Sequence, residues 1–227
     1  MTYNLRGLRH GVEQVAVVIE AERPDVVLVQ ESGPRRAFGR LARTLGMETA
    51  TDPISPLRRR IQNAVLVRPP LRISSSRLVR FSRTELWYPR GALASEVRRS
   101  GDRFWAVSTH LGLRRHDRRR HAVELEALCR GLGTPFVLGA DLNDGPDGAA
   151  PARLAEAFAD VWARCGFGDG ETISSRERAL RIDYLFASPD TELERCWVAR
   201  DSDALVASDH LPVIADLRVP GTNEQSN

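Results

Sequence analysis

Pro135-Phe136-Val137-Leu138-Gly139-Ala140-Asp141-Leu142-Asn143, followed by Asp144-Gly145-Pro146, is the stretch on which the reading of this chain turns. Phe136, Val137 and Leu138 form an apolar run without polar alternation, the mark of a strand covered on both faces. Asp141 and Asn143 lie two apart, so on a continuing strand they share one face at its carboxyl end, just ahead of a Gly-Pro turn. Taken alone, the pair has a plain reading as the start of that turn. The other strand ends of the chain argue for more.

Asp25-Val26-Val27-Leu28-Val29-Gln30 is a second unbroken apolar run, introduced by Pro24 and ending in Gln30-Glu31 before Ser32-Gly33-Pro34. A buried strand again delivers a carboxylate, although a lone Glu31 also reads as a solvated charge. Met1 to Leu5 reads as a short strand ending at Asn4, and Val12, Val15, Ala16 and Ile19 recur at helical spacing up to Arg23-Pro24. Phe38, Leu41, Ala42 and Leu45 predict a helix closed by Gly46, after which 61–67, 71–81 and 86–97 read as strands of antiparallel character. Phe104 to Thr109 is a strand that delivers His110, and 115–130 has helical spacing at His121, Leu125 and Leu128. A helix over 152–159 and strands over 182–186, 193–198 and 211–219 complete the order. Asp183 interrupts an apolar strand, and a buried carboxylate there requires a partner. Ser208-Asp209-His210-Leu211-Pro212 precedes the last strand; neighbours on a strand face opposite ways, so Asp209 and His210 meet at one site only if the backbone turns.

The 227 residues carry 33 basic side chains, every one an arginine, against 30 acidic ones, for a formal charge of +3 and a pI of about 9.1. Charge of this sign suits a polyanionic partner such as nucleic acid, and the arginines within 58–60 and 114–120 are candidates for backbone phosphates. The same arginines also read as solvated loop and helix faces, and the absence of lysine as a coding bias. Cys129, Cys165 and Cys196 lack CxxC spacing, which argues against zinc or a disulfide framework and for small core residues. No basic segment leads an apolar h-region and no stretch reaches membrane-spanning length, so a cytoplasmic protein without a membrane segment is expected. The first strand begins at Met1 itself, and a targeting segment upstream of it would lie out of view. No linker composition interrupts the chain, which predicts one domain over 1–219 and a polar tail over 220–227, with oligomeric state left open.

Asn4, Glu31, His110, Asp141, Asn143, Asp183, Asp209 and His210 are thus polar residues at or near the ends of apolar strands. Thr-Tyr-Asn-Leu at 2–5, Pro-Asp-Val-Val-Leu-Val-Gln-Glu at 24–31, Asn63-Ala64, Arg90-Gly91-Ala92, Ser-Thr-His-Leu at 108–111, Asp-Leu-Asn at 141–143, Arg-Ile-Asp-Tyr at 181–184 and Ser-Asp-His-Leu-Pro at 208–212 follow one another in register. In these motifs the chain resembles the endonuclease/exonuclease/phosphatase superfamily, over nearly its whole length. Each motif is weak alone; eight in order are specific. Ala140 stands where the family usually has Gly, Gln62 and Val67 where Gly and Ser are usual, and Thr172-Ile173-Ser174 where Thr-Phe-Pro is common.

The resemblance implies an α/β (α+β) fold, a four-layer αββα sandwich, and a hydrolase of phosphoester bonds. It implies that Glu31 holds a divalent ion with Asn4 and Asp209, and hard oxygen ligands suit Mg²⁺ or Mn²⁺. By the same resemblance Asp141 orients and deprotonates the attacking water, Asn143 donates to the phosphate, Asp183 fixes the tautomer of His210, and His110 serves as general acid or phosphate clamp. Asn63 and Arg90 are its candidates for substrate phosphate. The expected substrate is nucleic acid. An inositol phosphate or phospholipid is the alternative, for which Trp87-Tyr88 is the candidate lipid contact, and a catalytically inactive phosphate-binding module is the reading from another class.

Overall fold

Apolar runs without alternation need cover on both faces, and in the computed structural model, which describes residues 1–53, 59–82, 88–133, 135–174 and 179–220, they find it between sheets and helices. In chain order the elements are β1 (Thr2–Asn4), α1 (Val12–Glu22), β2 (Val26–Gln30), α2 (Arg35–Thr44), β3 (Glu48–Thr51), β4 (Ala64–Val67), β5 (Arg72–Arg80), β6 (Gly91–Arg99) and β7 (Asp102–His110). There follow α3 (Arg115–Arg130), β8 (Phe136–Asp141), α4 (Ala149–Ala157), β9 (Ala159–Asp160), α5 (Val161–Cys165), β10 (Ile173–Ser174), β11 (Ala179–Leu180), β12 (Asp183–Ala187), β13 (Glu192–Val198), α6 (Ser202–Ala207) and β14 (Val213–Arg218).

One six-stranded sheet has the order β13-β14-β1-β2-β4-β3 and the other β5-β6-β7-β8-β12-β9, with β10 and β11 a small separate pair. Both large sheets are mixed: β1 is parallel to β2 and β7 to β8, among antiparallel neighbours. The sheets pack face to face, α1 and α2 cover the first, and α3 and α4 cover the second, which makes the expected αββα sandwich. β8 shows why its sequence does not alternate. Phe136, Leu138 and Ala140 pack with Leu125, Leu128 and Leu154 of α3 and α4, while Val137 faces the core shared with the first sheet.

Near the carboxyl ends of β1, β2 and β8 the inter-sheet core turns polar. Gln30 Nε2 reaches Thr2 Oγ1 and Ser108 Oγ at 3.2 Å and the Leu28 and Gly139 carbonyls at 3.3 Å. Ser108 Oγ donates to Val29 O at 2.6 Å. Asn63, at the start of β4, donates from Nδ2 to Gly91 O at 2.9 Å and to Ser108 O at 3.0 Å, so it too joins one sheet to the other. Gly139 is a point of close approach between the sheets: a Cβ there would lie 2.6 Å from Leu28 Cβ and 2.7 Å from Thr2 Oγ1. Ala140, the departure from the family pattern, points its methyl the other way, into the cluster beneath the helices.

Several boundaries differ from the sequence reading. The strand expected over 61–67 begins at Ala64, and that expected over 86–97 begins at Gly91, with 83–87 outside the described residues. The helix expected over 152–159 is α4, starting at Ala149, because Pro151 falls in its first turn where a missing N–H costs nothing. β3, β9, α5 and α6 are too short to show a period; Asp160 and Asp201 cap the two helices by accepting from Ala163 N and Ala204 N. Residues 221–227 of the expected tail lie outside the described residues. No helix among the described residues is long and apolar enough to cross a membrane.

Gly139→Ala is expected to destabilise the fold by about 1–3 kcal/mol, the scale of overpacking a tight interior. Gly145→Ala, where a Cβ meets nothing within 4 Å, should stay within roughly 0.5 kcal/mol of wild type. Urea unfolding of both variants checks the pair.

Candidate active site

Parallel pairing brings strand ends together. β1 and β2 run side by side and deliver Asn4 and Glu31; β7 and β8 do the same for His110 and Asp141, which are paired in register. Antiparallel β12 begins opposite Asp141 with Asp183, and antiparallel β14 is preceded by His210. The two sheets therefore present their polar residues at one shared end. Backbone strain gathers there as well: Arg6 (φ 46°), Leu8 (φ 59°), Glu31 (φ 48°), Gln62 (φ 59°) and Asn143 (φ 50°) are all left-handed, a conformation L residues hold only where their surroundings over-determine it. Gln62, standing where the family usually has Gly, is tied down by accepting from Ser32 N and Gly33 N.

Asp141 is the hub. Its carboxylate is 1% exposed. Oδ2 accepts from Asn4 Nδ2 at 2.8 Å, across the sandwich, and Oδ1 accepts from Asn143 N at 3.0 Å. His110 Nε2 stands 3.2 Å from Oδ2. Arg90 Nη1, which can only donate, approaches His110 Nδ1 at 2.8 Å, which favours Nδ1 as the acceptor and leaves Nε2 between Asp141 Oδ2 and the Asn143 amide. Asn143 Nδ2 donates to Leu111 O at 3.1 Å and borders the same imidazole, 2.9 Å from Nε2.

The two histidines are tuned in opposite directions. Burial pushes His110 down to about 3, with Arg90 and His210 reinforcing it against the opposing pull of Asp141. For His210 burial also works against the charge, but Asp183, by its charge and its hydrogen bond, and then Asp141 and Asp209 outweigh it and push the ring up to about 10. His210 Nδ1 donates to Asp183 Oδ2 at 2.8 Å, the partner that the buried Asp183 required. Its Nε2 points toward Asp141 Oδ2, at 3.9 Å. Near neutral pH one ring is uncharged and the other carries a proton on each nitrogen.

Around this buried floor lies a more open rim. Glu31 has a side chain 41% exposed and one oxygen 3.9 Å from His110 Nδ1. Asp209 turns away from His210 and pairs with Arg6 Nε at 3.1 Å, both side chains 40% exposed. Asn4 Oδ1 accepts from Arg6 N at 2.9 Å. The ligand atoms of Asp141, Asp183 and His210 also lie within 4.8 Å of one another, and Asp183 Oδ1 is buried with no hydrogen-bond partner.

Asn63 does not belong to this group. It is fully buried between the sheets, which corrects its reading as a contact for substrate phosphate. Part of the arginine segments is engaged within the fold: Arg60 bonds Asp52, Gly33 O and Ser32 Oγ, Arg120 pairs with Asp117, and Arg118 links Leu113 O to Asp144 Oδ1, whereas Arg59, Arg114, Arg115 and Arg119 are exposed. Arg58 and Trp87 lie outside the described residues, and Tyr88 is 65% exposed. Arg118 thereby joins the loop after His110 to the loop after Asn143, a role no motif announced. Arg6 and Thr172 were also missed as site residues. Thr172 Oγ1 accepts from the N–H groups of Ile182 and Asp183, and its carbonyl accepts from Leu211 N at 2.7 Å, which holds the Asp183 and His210 segments side by side.

Fold and site together define a class: a four-layer αββα sandwich with a carboxylate and imidazole cluster where the ends of both sheets meet. The sequence pattern of the Endonuclease/Exonuclease/phosphatase family matches residues 1–210, and the chain belongs to that family, whose enzymes hydrolyse phosphoester bonds. Comparison with curated protein sequences gave no match. Among solved structures, an endonuclease/exonuclease/phosphatase from Bacteroides vulgatus superposes with a TM-score of 0.84 at 18% identity, covering 96% of this chain and 97% of its own. A mannosyl-6-phosphatase from Bacteroides thetaiotaomicron gives 0.75 at 18% identity, covering 96% and 98%. D. rerio TDP2 complexed with single strand DNA product gives 0.73 at 15% identity, covering 96% and 97%. Likeness at these identities establishes the shared fold.

The histidine tuning sets a pH dependence in the metal-free protein. His210 is raised on folding, so its contribution to stability is full below the unfolded value of about 6.5 and is lost as pH rises through about 10. The stability advantage of wild type over Asp183→Asn is expected to be largest below about pH 6.5, to fall progressively as pH rises from there, and to level off above about pH 10, as read by thermal unfolding in EDTA. An advantage that does not change up to pH 11 would contradict the assignment of a protonated His210.

Proposed function

We propose that this chain is a divalent-metal-dependent phosphoesterase in which Glu31, Asp209 and Asn4 Oδ1 hold the ion. The observation that carries the reading is the division of the cluster into a buried, hydrogen-bonded floor and an open, oxygen-rich rim. The donor set fits a hard cation: the carboxylates of Glu31 and Asp209 stand on the rim, the amide oxygen of buried Asn4 is tied to Asp209 through Arg6, and Cys129, Cys165 and Cys196 lie apart in α3, α5 and β13. Glu31 is held there by a left-handed backbone, and the unpartnered Asp183 Oδ1 leaves the floor short of a donor. A bound Mg²⁺ or Mn²⁺ supplies Lewis-acid polarisation of a phosphoryl oxygen.

Asp141 is the base. A carboxylate offers about four lone-pair positions; here Asn4, Asn143 N and His110 occupy three, which aims what remains at an attacking water. Neutral His110 is a poor proton donor at pH 7, so it orients Asp141, with Arg90 favouring Nδ1 as its acceptor. Cationic His210, fixed by Asp183, presents Nε2–H to the phosphoryl group and stabilises the charge that develops on it. Asn143 Nδ2 donates beside it. A module that had kept only phosphate binding would have no need of this water-directed carboxylate, which speaks against the inactive reading.

Nucleic acid remains the leading substrate, supported by the net positive charge and by the fold shared with TDP2, whose complex contains a single-stranded DNA product. A small phosphomonoester is the second reading. It is favoured by the internal engagement of Arg60, Arg118 and Arg120, which removes arginines expected to track a backbone, and by the fold shared with a mannosyl-6-phosphatase.

Hydrolysis of bis-(p-nitrophenyl) phosphate is expected to stop in excess EDTA and to return with Mg²⁺ or Mn²⁺; undiminished turnover without metal would end the metal reading. Glu31→Gln should weaken the metal titration, and Asp141→Asn should abolish turnover with metal affinity nearly retained. His210→Ala is expected to lose roughly 10²-fold or more in rate, the scale of a positioned acid or base. A panel of single-stranded DNA, RNA and sugar phosphates then separates the two substrate readings, steep salt dependence marking a nucleic acid.

A further inference from the structure

Residue 6 touches two of the three groups given above to the divalent ion. Its backbone N–H donates to Asn4 Oδ1 at 2.9 Å, and its Nε stands 3.1 Å from Asp209 Oδ2. The amide oxygen is the atom by which an Asn meets a hard cation. One residue thus satisfies, by a dipole and by a charge, oxygens that a cation would take. The arrangement is not a default of the backbone. Arg6 (φ 46°), Gly7 (φ 68°) and Leu8 (φ 59°) form a run of left-handed residues. Gly7 N donates to Glu31 O at 2.9 Å, and a Cβ on Gly33 would come within 2.4 Å of Gly7 O, so the turn is seated against the strand end that carries Glu31. Strain of this kind persists where something holds it, and what it holds here is a guanidinium beside Asp209.

We propose that Arg6 is an exchangeable counter-ion of this site. Without a divalent ion it neutralises Asp209; once Asp209 and Glu31 take the ion, Arg6 is released beside it and turns to the phosphoryl oxygens of the substrate. The inference rests on the metal reading of Glu31, Asn4 and Asp209. Both partners of the pair are 40% exposed, so the pair is weak enough to yield to a divalent charge. A freed guanidinium presents a planar fork that matches two phosphate oxygens. Release links the two events, and divalent ion and phosphate then favour each other's binding.

Calorimetric titration of the full chain with Mn²⁺ and with inorganic phosphate tests this without turnover. In wild type, phosphate should bind more tightly in the presence of Mn²⁺ than in its absence. Arg6→Gln should bind Mn²⁺ roughly two- to five-fold more tightly, the yield of removing an exposed ion pair, and Mn²⁺-dependent phosphate roughly tenfold more weakly, the loss of a charged hydrogen bond. Arg9→Gln, at an exposed neighbour, controls for bulk charge and should move each affinity by less than about twofold. Changes of opposite sign support the exchange. Weakening of both affinities would make Arg6 a scaffold and overturn it, as would equal values in wild type and Arg6→Gln when Mn²⁺ binding still depends on Glu31. Mn²⁺ binding indifferent to Glu31→Gln would instead reject the metal site, and this inference with it.

Discussion

The hydrogen bond from Asn4 Nδ2 to Asp141 Oδ2 spans the two sheets, and the site exists only while that span is kept. Asn4 lies in one sheet, with Glu31, Asp209 and His210 just beyond its strand ends; His110, Asp141 and Asp183 lie in the other, with Asn143 just beyond β8. Hydrophobic burial holds the sheets together but is not directional, and a slide of one over the other would cost it little. The direction comes from Gln30, Asn63 and Ser108, whose buried polar atoms are satisfied only in this register, and from the contact at Gly139. Asn63 Oδ1, buried without a partner, shows that the register is held at some expense.

Burial then divides the labour. Four groups on the floor, His110, Asp141, Asp183 and His210, are nearly closed to solvent, so their mutual charges act in a medium where such effects are large. The two imidazoles are tuned in opposite directions because burial prevails at His110, with Arg90 adding to it, whereas Asp183 outweighs burial at His210. The rim groups remain half exposed, where pairs form and break cheaply.

Much of this was legible in the sequence. The runs 25–30 and 136–141 showed themselves as buried strands because nothing polar interrupts them, and their terminal carboxylates stood out against that background. The departures have physical causes. Asn63 was taken for a substrate contact because a motif records residue type and not burial. Arg60, Arg118 and Arg120 looked available because a sequence does not reveal that Asp52, Asp144 and Asp117 already hold them. Arg6 was invisible for the converse reason: its place at the site depends on a left-handed turn, and only Gly7 in that turn has a residue type that suggests one. The short elements α5 and α6 left only their capping Asp160 and Asp201 as a signal.

β5 carries a further consequence of the arginine-only basic composition. Among the described residues it ends the order of its sheet, and along its nine residues Arg72, Ser74, Ser75, Ser76 and Arg77 are exposed. A free strand edge is a template for a second copy of itself, and guanidinium groups along it repel that copy. Arg72, near Glu48 of β3, and Arg77 thus place charge on an edge that would otherwise favour such pairing. Charge-neutralising changes on β5 would trade away colloidal safety while leaving the chemistry at the far end of the sandwich as it is.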